Sequence, residues 1–147
     1  MVEAKLNWIH NIAFEVNVRG HYQFTDGKKE VGGGDRGPTP KEYVLAGLCG
    51  CSGMDVASLL KKMRVPFTKF SVRGETDQTK EHPAIFTEVH VHFELEGEGI
   101  DSAQFEKAVV LSMTKYCGVS AMLVKAVPIF YHLHLNGAEI KTGQANF

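Results

Sequence analysis

One long helix, announced by its own capping chemistry, constrains this chain more than any other feature. In Thr39-Pro40-Lys41-Glu42, Thr39 can cap, Pro40 suits the first helical position, and Glu42 completes a capping box. Pro66 forbids continuation, so the spacing predicts a helix from 39 to about Arg64. Gly47, Gly50 and Gly53 lie inside it, each costing about 1 kcal/mol of helix propensity relative to Ala. A helix with three such residues needs a packing reason. Ala46, Gly50, Gly53 and Ala57 share one stripe, and a stripe without bulk lets another helix approach closely. Leu45, Leu48, Val56, Leu59, Leu60 and Met63 supply apolar bulk around it. The helix is therefore expected to be central and enclosed on several sides.

Strands flank it. Trp8, Ile9, Ile12, Phe14, Val16 and Val18 are β-formers, and 14–18 alternates Phe-Glu-Val-Asn-Val. Gly20 and Asp26-Gly27 mark turns, His21 to Thr25 reads as a third strand, and an antiparallel meander fits. Residues 27–38 (GKKEVGGGDRGP) lack both phosphate-loop spacings and read as a mobile connector. Two strands are predicted near 68–79 and 85–97. In the second, Val89, Val91, Phe93 and Leu95 face one way, and Glu88, His90, His92 and Glu94 the other. Asp101 and Gln104 open a second helix, whose inner face would be Phe105, Ala108, Val109, Ser112, Met113 and Tyr116. Cys117-Gly118 interrupts it, a short helix follows at 119–125, and 129–135 reads as the last strand. The class is α+β, with antiparallel sheets and central helices.

The 147 residues suffice for a single domain, 1–147, with a real core. A net charge of -1 suggests neither a nucleic-acid nor an anionic-membrane partner, since both call for clustered positive charge. No secretory h-region is seen near Met1 and no apolar run reaches bilayer length, so a cytoplasmic location is expected. Three cysteines without an export signal read as free thiols, ligands or redox groups rather than as a disulfide framework.

Cys51 sits mid-helix among small residues. A helical cysteine can be merely a small buried hydrophobe. Asp55 lies one turn on and opposes a thiolate, and no Lys or Arg is one turn away, so an activating cation would have to come from elsewhere. Cys49 leaves the opposite side of the helix, about 200° away, and reads as packing. Cys117 is either the N-terminal residue of the short helix, where the dipole favours a thiolate, or the buried end of the preceding one. If the strands carrying His90/His92 and His132/His134 are neighbours, four imidazoles could bind zinc or copper. No cysteine or carboxylate stands at chelating spacing, so a solvated polar face without a required metal is expected. No cofactor is expected either.

The residues so laid out resemble the OsmC/Ohr family over most of the chain. The resemblance runs through Gly37-Pro38-Thr39-Pro40-Lys41-Glu42, Leu45-Ala46-Gly47-Leu48-Cys49-Gly50-Cys51, Asp55-Val56-Ala57, Glu81-His82-Pro83 and Lys115-Tyr116-Cys117-Gly118-Val119-Ser120-Ala121. It implies an intertwined homodimer with central helices packed together. It also implies a thiol peroxidase in oxidative-stress defence. Cys51 would attack an organic hydroperoxide, Cys117 would resolve the sulfenic acid as a disulfide, and a dithiol such as dihydrolipoamide would be the reductant. Glu42 would match the family's orienting Glu, although Lys41 aligns more closely, and Arg19 or Arg36 would match the Arg that holds the thiolate. Gly118 stands where many relatives have Pro, and the nearest resemblance is to the OsmC-like subgroup. The alternative reading is a non-catalytic dimer that binds a small apolar or acyl ligand, with Cys51 as a pocket wall.

Overall fold

Alternating apolar residues near the N-terminus give three antiparallel strands in the computed structural model, which describes residues 1–147. They are β1 (Lys5–His10), β2 (Ala13–Val18) and β3 (His21–Thr25), ordered β1-β2-β3 as the sequence predicts. Arg19 and Gly20 join β2 to β3 with φ of 54° and 83°. Two positive φ values in a two-residue connection match the right-handed twist of the paired strands. This sheet belongs to a unit spanning Met1–Val44, and the remainder, Leu45–Phe147, forms a second unit.

The segment expected to be mobile is organised instead. The Asp26 carboxylate accepts backbone N–H bonds from Gly27 (2.7 Å), Gly34 (3.1 Å) and Arg36 (3.2 Å). Gly33 lies against the Gly27 carbonyl and Gly37 against that of Phe24, where a Cβ would find no room. The loop is thus wound around one buried carboxylate, and its glycines permit the close approach.

Helix α1 spans Pro40–Lys62. Its capping box forms: Thr39 N–H donates to Glu42 Oε2 (2.8 Å) and Glu42 N–H to Thr39 Oγ1 (3.4 Å). Burial follows the stripe Leu48, Ser52, Val56 and Leu60, with Met54 exposed. The expectation of a helix enclosed on several sides is corrected for the single chain. Gly53 packs on Val72, but a Cβ at Gly47 or Gly50 would meet nothing. By length and composition α1 is also long and apolar enough to cross a membrane. Reading for an uninterrupted apolar run missed this, because glycine, serine and cysteine punctuate the helix.

The second unit carries β4 (Lys69–Gln78), β5 (Phe86–Glu96), α2 (Ser102–Leu111), α3 (Gly118–Leu123), β6 (Ile129–Leu135) and β7 (Ala138–Gln144). The sheet order is β4-β5-β6-β7. The fold is α+β as expected, with two departures. β5 and β6 pair in parallel, which is possible because α2 and α3 form the crossover between them. β6 is not the last strand, since Asn136 and Gly137 (φ 49° and 83°) turn the chain into β7. Val89, Val91, Phe93, Leu95, Ile129 and Leu133 bury one face of the sheet in a core shared with Leu48, Val56, Leu60, Phe105 and Val109. The opposite face carries the histidines of β5 and β6.

Candidate active site

The second unit brings Cys51 and Cys117 together, by two different local devices. Cys51 and Asp55 are one turn apart on α1, so their side chains leave the same side of the helix. Cys117 arrives through a change of helical pitch. A π-helical turn at Ser112–Tyr116 widens the end of α2, and Cys117 then becomes extended (φ -69°, ψ 101°). This resolves the two sequence readings of Cys117: it is the N-cap of α3, and its Sγ accepts the Ser120 N–H at 3.4 Å.

Cys51 Sγ, an Asp55 carboxylate oxygen and Cys117 Sγ all lie within 4.8 Å of one another. All three cysteines are free thiols. Ser112 Oγ donates to Asp55 Oδ2 at 3.1 Å and so fixes which way the carboxylate faces. Burial pushes the Cys117 thiol above its ordinary range, partly opposed by its hydrogen bonds to Ser120 and reinforced by neighbouring Cys51. Cys117 is thus held as the protonated thiol at neutral pH. Two sulfurs and a carboxylate at this spacing also form a donor set that could hold a zinc-like ion with one open position.

A cleft of about 370 Å³ beside the cluster is lined by Asp55, Ser58, Leu59, Lys62 and Tyr116. Lys62 lines the same cleft as Asp55. Sequence reasoning missed Lys62, and placed Ser112 and Tyr116 merely on an inner helical face. The one available signal was Ser112 itself, a hydroxyl among Phe105, Ala108, Val109 and Met113.

Cys49 points elsewhere, as expected. Its Sγ lies against Gly74 of β4, and burial raises its thiol above the ordinary value, with a backbone hydrogen bond opposing. Glu42, Arg19 and Arg36 belong to the first unit. Glu42 serves the helix cap and pairs with Lys28 at 3.1 Å. Arg19 stands in the β2–β3 turn, and Arg36 gives its backbone N–H to Asp26.

The model of the OsmC-like protein family matches residues 32–131. Protein YhfA of Escherichia coli K12 is 36% identical over 129 residues, covering 87% of this chain and 93% of that protein. The crystal structure of a hypothetical protein from Aquifex aeolicus superposes with a TM-score of 0.82 at 25% identity, covering 92% of this chain and 96% of the other. An organic hydroperoxide resistance protein from Legionella pneumophila has a TM-score of 0.63 at 15% identity, with 92% and 96% covered, and shares the fold.

Proposed function

The chain belongs to the OsmC-like protein family, and from that premise we propose that it is a two-cysteine peroxidase acting on organic hydroperoxides in oxidative-stress defence. The observation that carries this reading is the cluster of two free thiols and one carboxylate within 4.8 Å. The Legionella protein of the same fold, named for organic hydroperoxide resistance, supports the substrate class.

The chemistry needs no group beyond the hydroperoxide and a dithiol. Cys51 gives up its proton to Asp55, and the thiolate attacks the terminal oxygen of ROOH. The O–O bond breaks, the alkoxide takes the proton held at Asp55 and leaves as ROH, and Cys51 becomes a sulfenic acid. The Cys117 thiol then attacks that sulfur, water leaves, and a disulfide forms. A dithiol reduces it and leaves as its own disulfide. The two sulfurs lie within 4.8 Å of each other, close enough for the second thiol to meet the sulfenic acid formed on the first. In this reading the cleft beside Asp55, with Leu59 and Tyr116 as apolar wall, receives the organic part of the substrate. The protein works as a cytoplasmic homodimer, without a nucleic-acid or membrane partner.

Reduced protein treated with cumene hydroperoxide should form a Cys51–Cys117 disulfide, detected by mass spectrometry. Cys117→Ser should accumulate sulfenic acid at Cys51. Cys51→Ser should abolish peroxide consumption, and Cys49→Ser should leave it intact. Arg19→Gln and Arg36→Gln test which guanidinium supplies the counter-charge that the family resemblance assigns. Native-rate consumption by Cys51→Ser would sink the peroxidase reading.

A further inference from the structure

The outer face of the sheet β4-β5-β6-β7 carries an imidazole–carboxylate array that the thiol chemistry does not use. The parallel register sets His92 opposite His132 and Glu94 opposite His134. The rings meet diagonally across the strands. His90 Nδ1 lies 2.9 Å from His132 Nε2, and His92 Nδ1 lies 3.0 Å from His134 Nε2. Carboxylates hold three of the outer nitrogens. Glu88 Oε1 is 3.1 Å from His90 Nε2, Glu75 Oε1 is 3.0 Å from His92 Nε2, and Glu139 Oε2 is 3.1 Å from His132 Nδ1.

A bond count separates the two rows. In Glu75–His92–His134, two links need two N–H protons, and two neutral rings supply them. In Glu88–His90–His132–Glu139, three links need three protons, but two neutral rings carry two. The deficit is made good by a third proton on one ring, or by a cation that occupies the central link and takes both facing lone pairs. His90 then donates Nε2–H to Glu88, and His132 donates Nδ1–H to Glu139. A carboxylate behind each ligating imidazole is the arrangement that fixes the tautomer and orientation of metal-bound histidine.

We propose that His90 Nδ1 and His132 Nε2 bind one divalent late first-row transition ion, of the zinc and copper class that imidazole favours, with water completing its coordination. Metal–nitrogen bonds of about 2.0–2.1 Å at a tetrahedral angle set the two nitrogens roughly 3.3 Å apart. Ring rotation supplies the opening from 2.9 Å. The two side chains are 30% and 18% exposed, and a cavity of about 450 Å³ between them, Phe130 and Thr142 leaves room for water ligands. In the neighbouring row the two links of His92 are already satisfied by the protons of His92 and His134, so one ion is expected on this face. With two protein ligands the site is reversible. The fold does not require the ion, because the other face of both strands is already a complete apolar surface.

The test is zinc titration of untagged, metal-stripped protein by calorimetry at pH 7.5, with copper(II) electron paramagnetic resonance on the same protein. One zinc is expected at this site, beside any ion that the thiol cluster takes, and a copper spectrum with hyperfine coupling to two imidazole nitrogens. His90→Gln and His132→Gln should abolish that coupling, while Glu88→Gln and Glu139→Gln should weaken zinc binding by roughly 10–100-fold. A Cys51→Ser/Cys117→Ser protein should retain both signals, which separates this site from the thiol cluster and from the peroxidase reading. No binding at millimolar zinc, a wild-type copper spectrum without two coupled nitrogens, or binding lost only in the cysteine variant would overturn the proposal.

Discussion

Gly74 of β4 is the position where the placing of α1 can be tested with one methyl group. A Cβ there would lie 2.6 Å from Cys49 Sγ, 2.9 Å from Leu45 Cδ1 and 3.1 Å from Leu45 Cγ. Cys49 Sγ and the Leu45 side chain must both give way, so Gly74→Ala strains the packing of helix on strand. Overpacking of this kind costs about 1–3 kcal/mol. The alanine recovers about 0.4–1 kcal/mol by restricting the unfolded chain. The net loss is therefore between about 0 and 2.6 kcal/mol, with a middle value of roughly 1.3, which at about 2–4 °C per kcal/mol lowers Tm by a few degrees. Scanning calorimetry or thermal circular dichroism reads it. Adding Cys49→Ala to Gly74→Ala should return part of the loss, because it removes the nearest clashing atom and leaves Leu45. A Gly74→Ala protein melting at or above wild type refutes the packing argument. A double variant no better than the single one shows that Cys49 is not the obstacle.

Other outcomes follow from the same structure. Gly137→Ala places a side chain at φ 83°, which costs about 1–2 kcal/mol and should appear first as faster amide exchange in β7. Burial would raise the Asp26 carboxyl, but N–H bonds from Gly27, Arg36 and Gly34 outweigh it and hold it below the ordinary carboxylate range. A depressed carboxyl contributes stability that is complete above its unfolded pKa and is lost as pH falls through its folded pKa. Exchange protection in the loop 27–38 should therefore fade below about pH 4, and Asp26→Asn should flatten that pH dependence. A Cβ at Gly50 meets nothing within the single chain, and Gly50→Leu should gain about 1 kcal/mol of helix propensity there. In the homodimer proposed above it should instead weaken self-association, which sedimentation velocity would show, and an unchanged sedimentation profile would count against Gly50 facing a second copy.

What was legible in the sequence was local. The capping box of Thr39 and Glu42 spans three residues, so its chemistry fixes the start of α1 without tertiary information. The alternation in β5 likewise announced its buried face. β7 was also legible, since Asn136-Gly137 is the strongest short hairpin signal, but the run after it is polar and exposed. The parallel pairing of β5 and β6 depends on where a crossover returns the chain, which no strand encodes by itself. The ordered glycine loop was hidden for the same reason, because Asp26 collects N–H groups eight and ten residues away.

The thiol site divides along the same line, and the division bears on its chemistry. Cys51 and Asp55 share a helical face at i and i+4, so their proximity could be read directly, and Asp55 then counts against a thiolate. The structure adds Ser112, which belongs to a different helix and gives its hydroxyl to Asp55. That hydrogen bond gives the carboxylate a fixed direction beside the two thiols. Lys62, two turns along α1 from Asp55, lines the same cleft. Glu42, by contrast, has a full local reason to be glutamate in its cap and in Lys28, so its identity needs no catalytic explanation. Arg19 is different. It occupies a φ of 54° that favours Asn, Asp or Gly, and a bulky residue kept there against a steric cost is the better candidate for a role beyond the turn. On that argument Arg19, rather than Arg36 or Glu42, is the residue of the first unit whose replacement should be measured first.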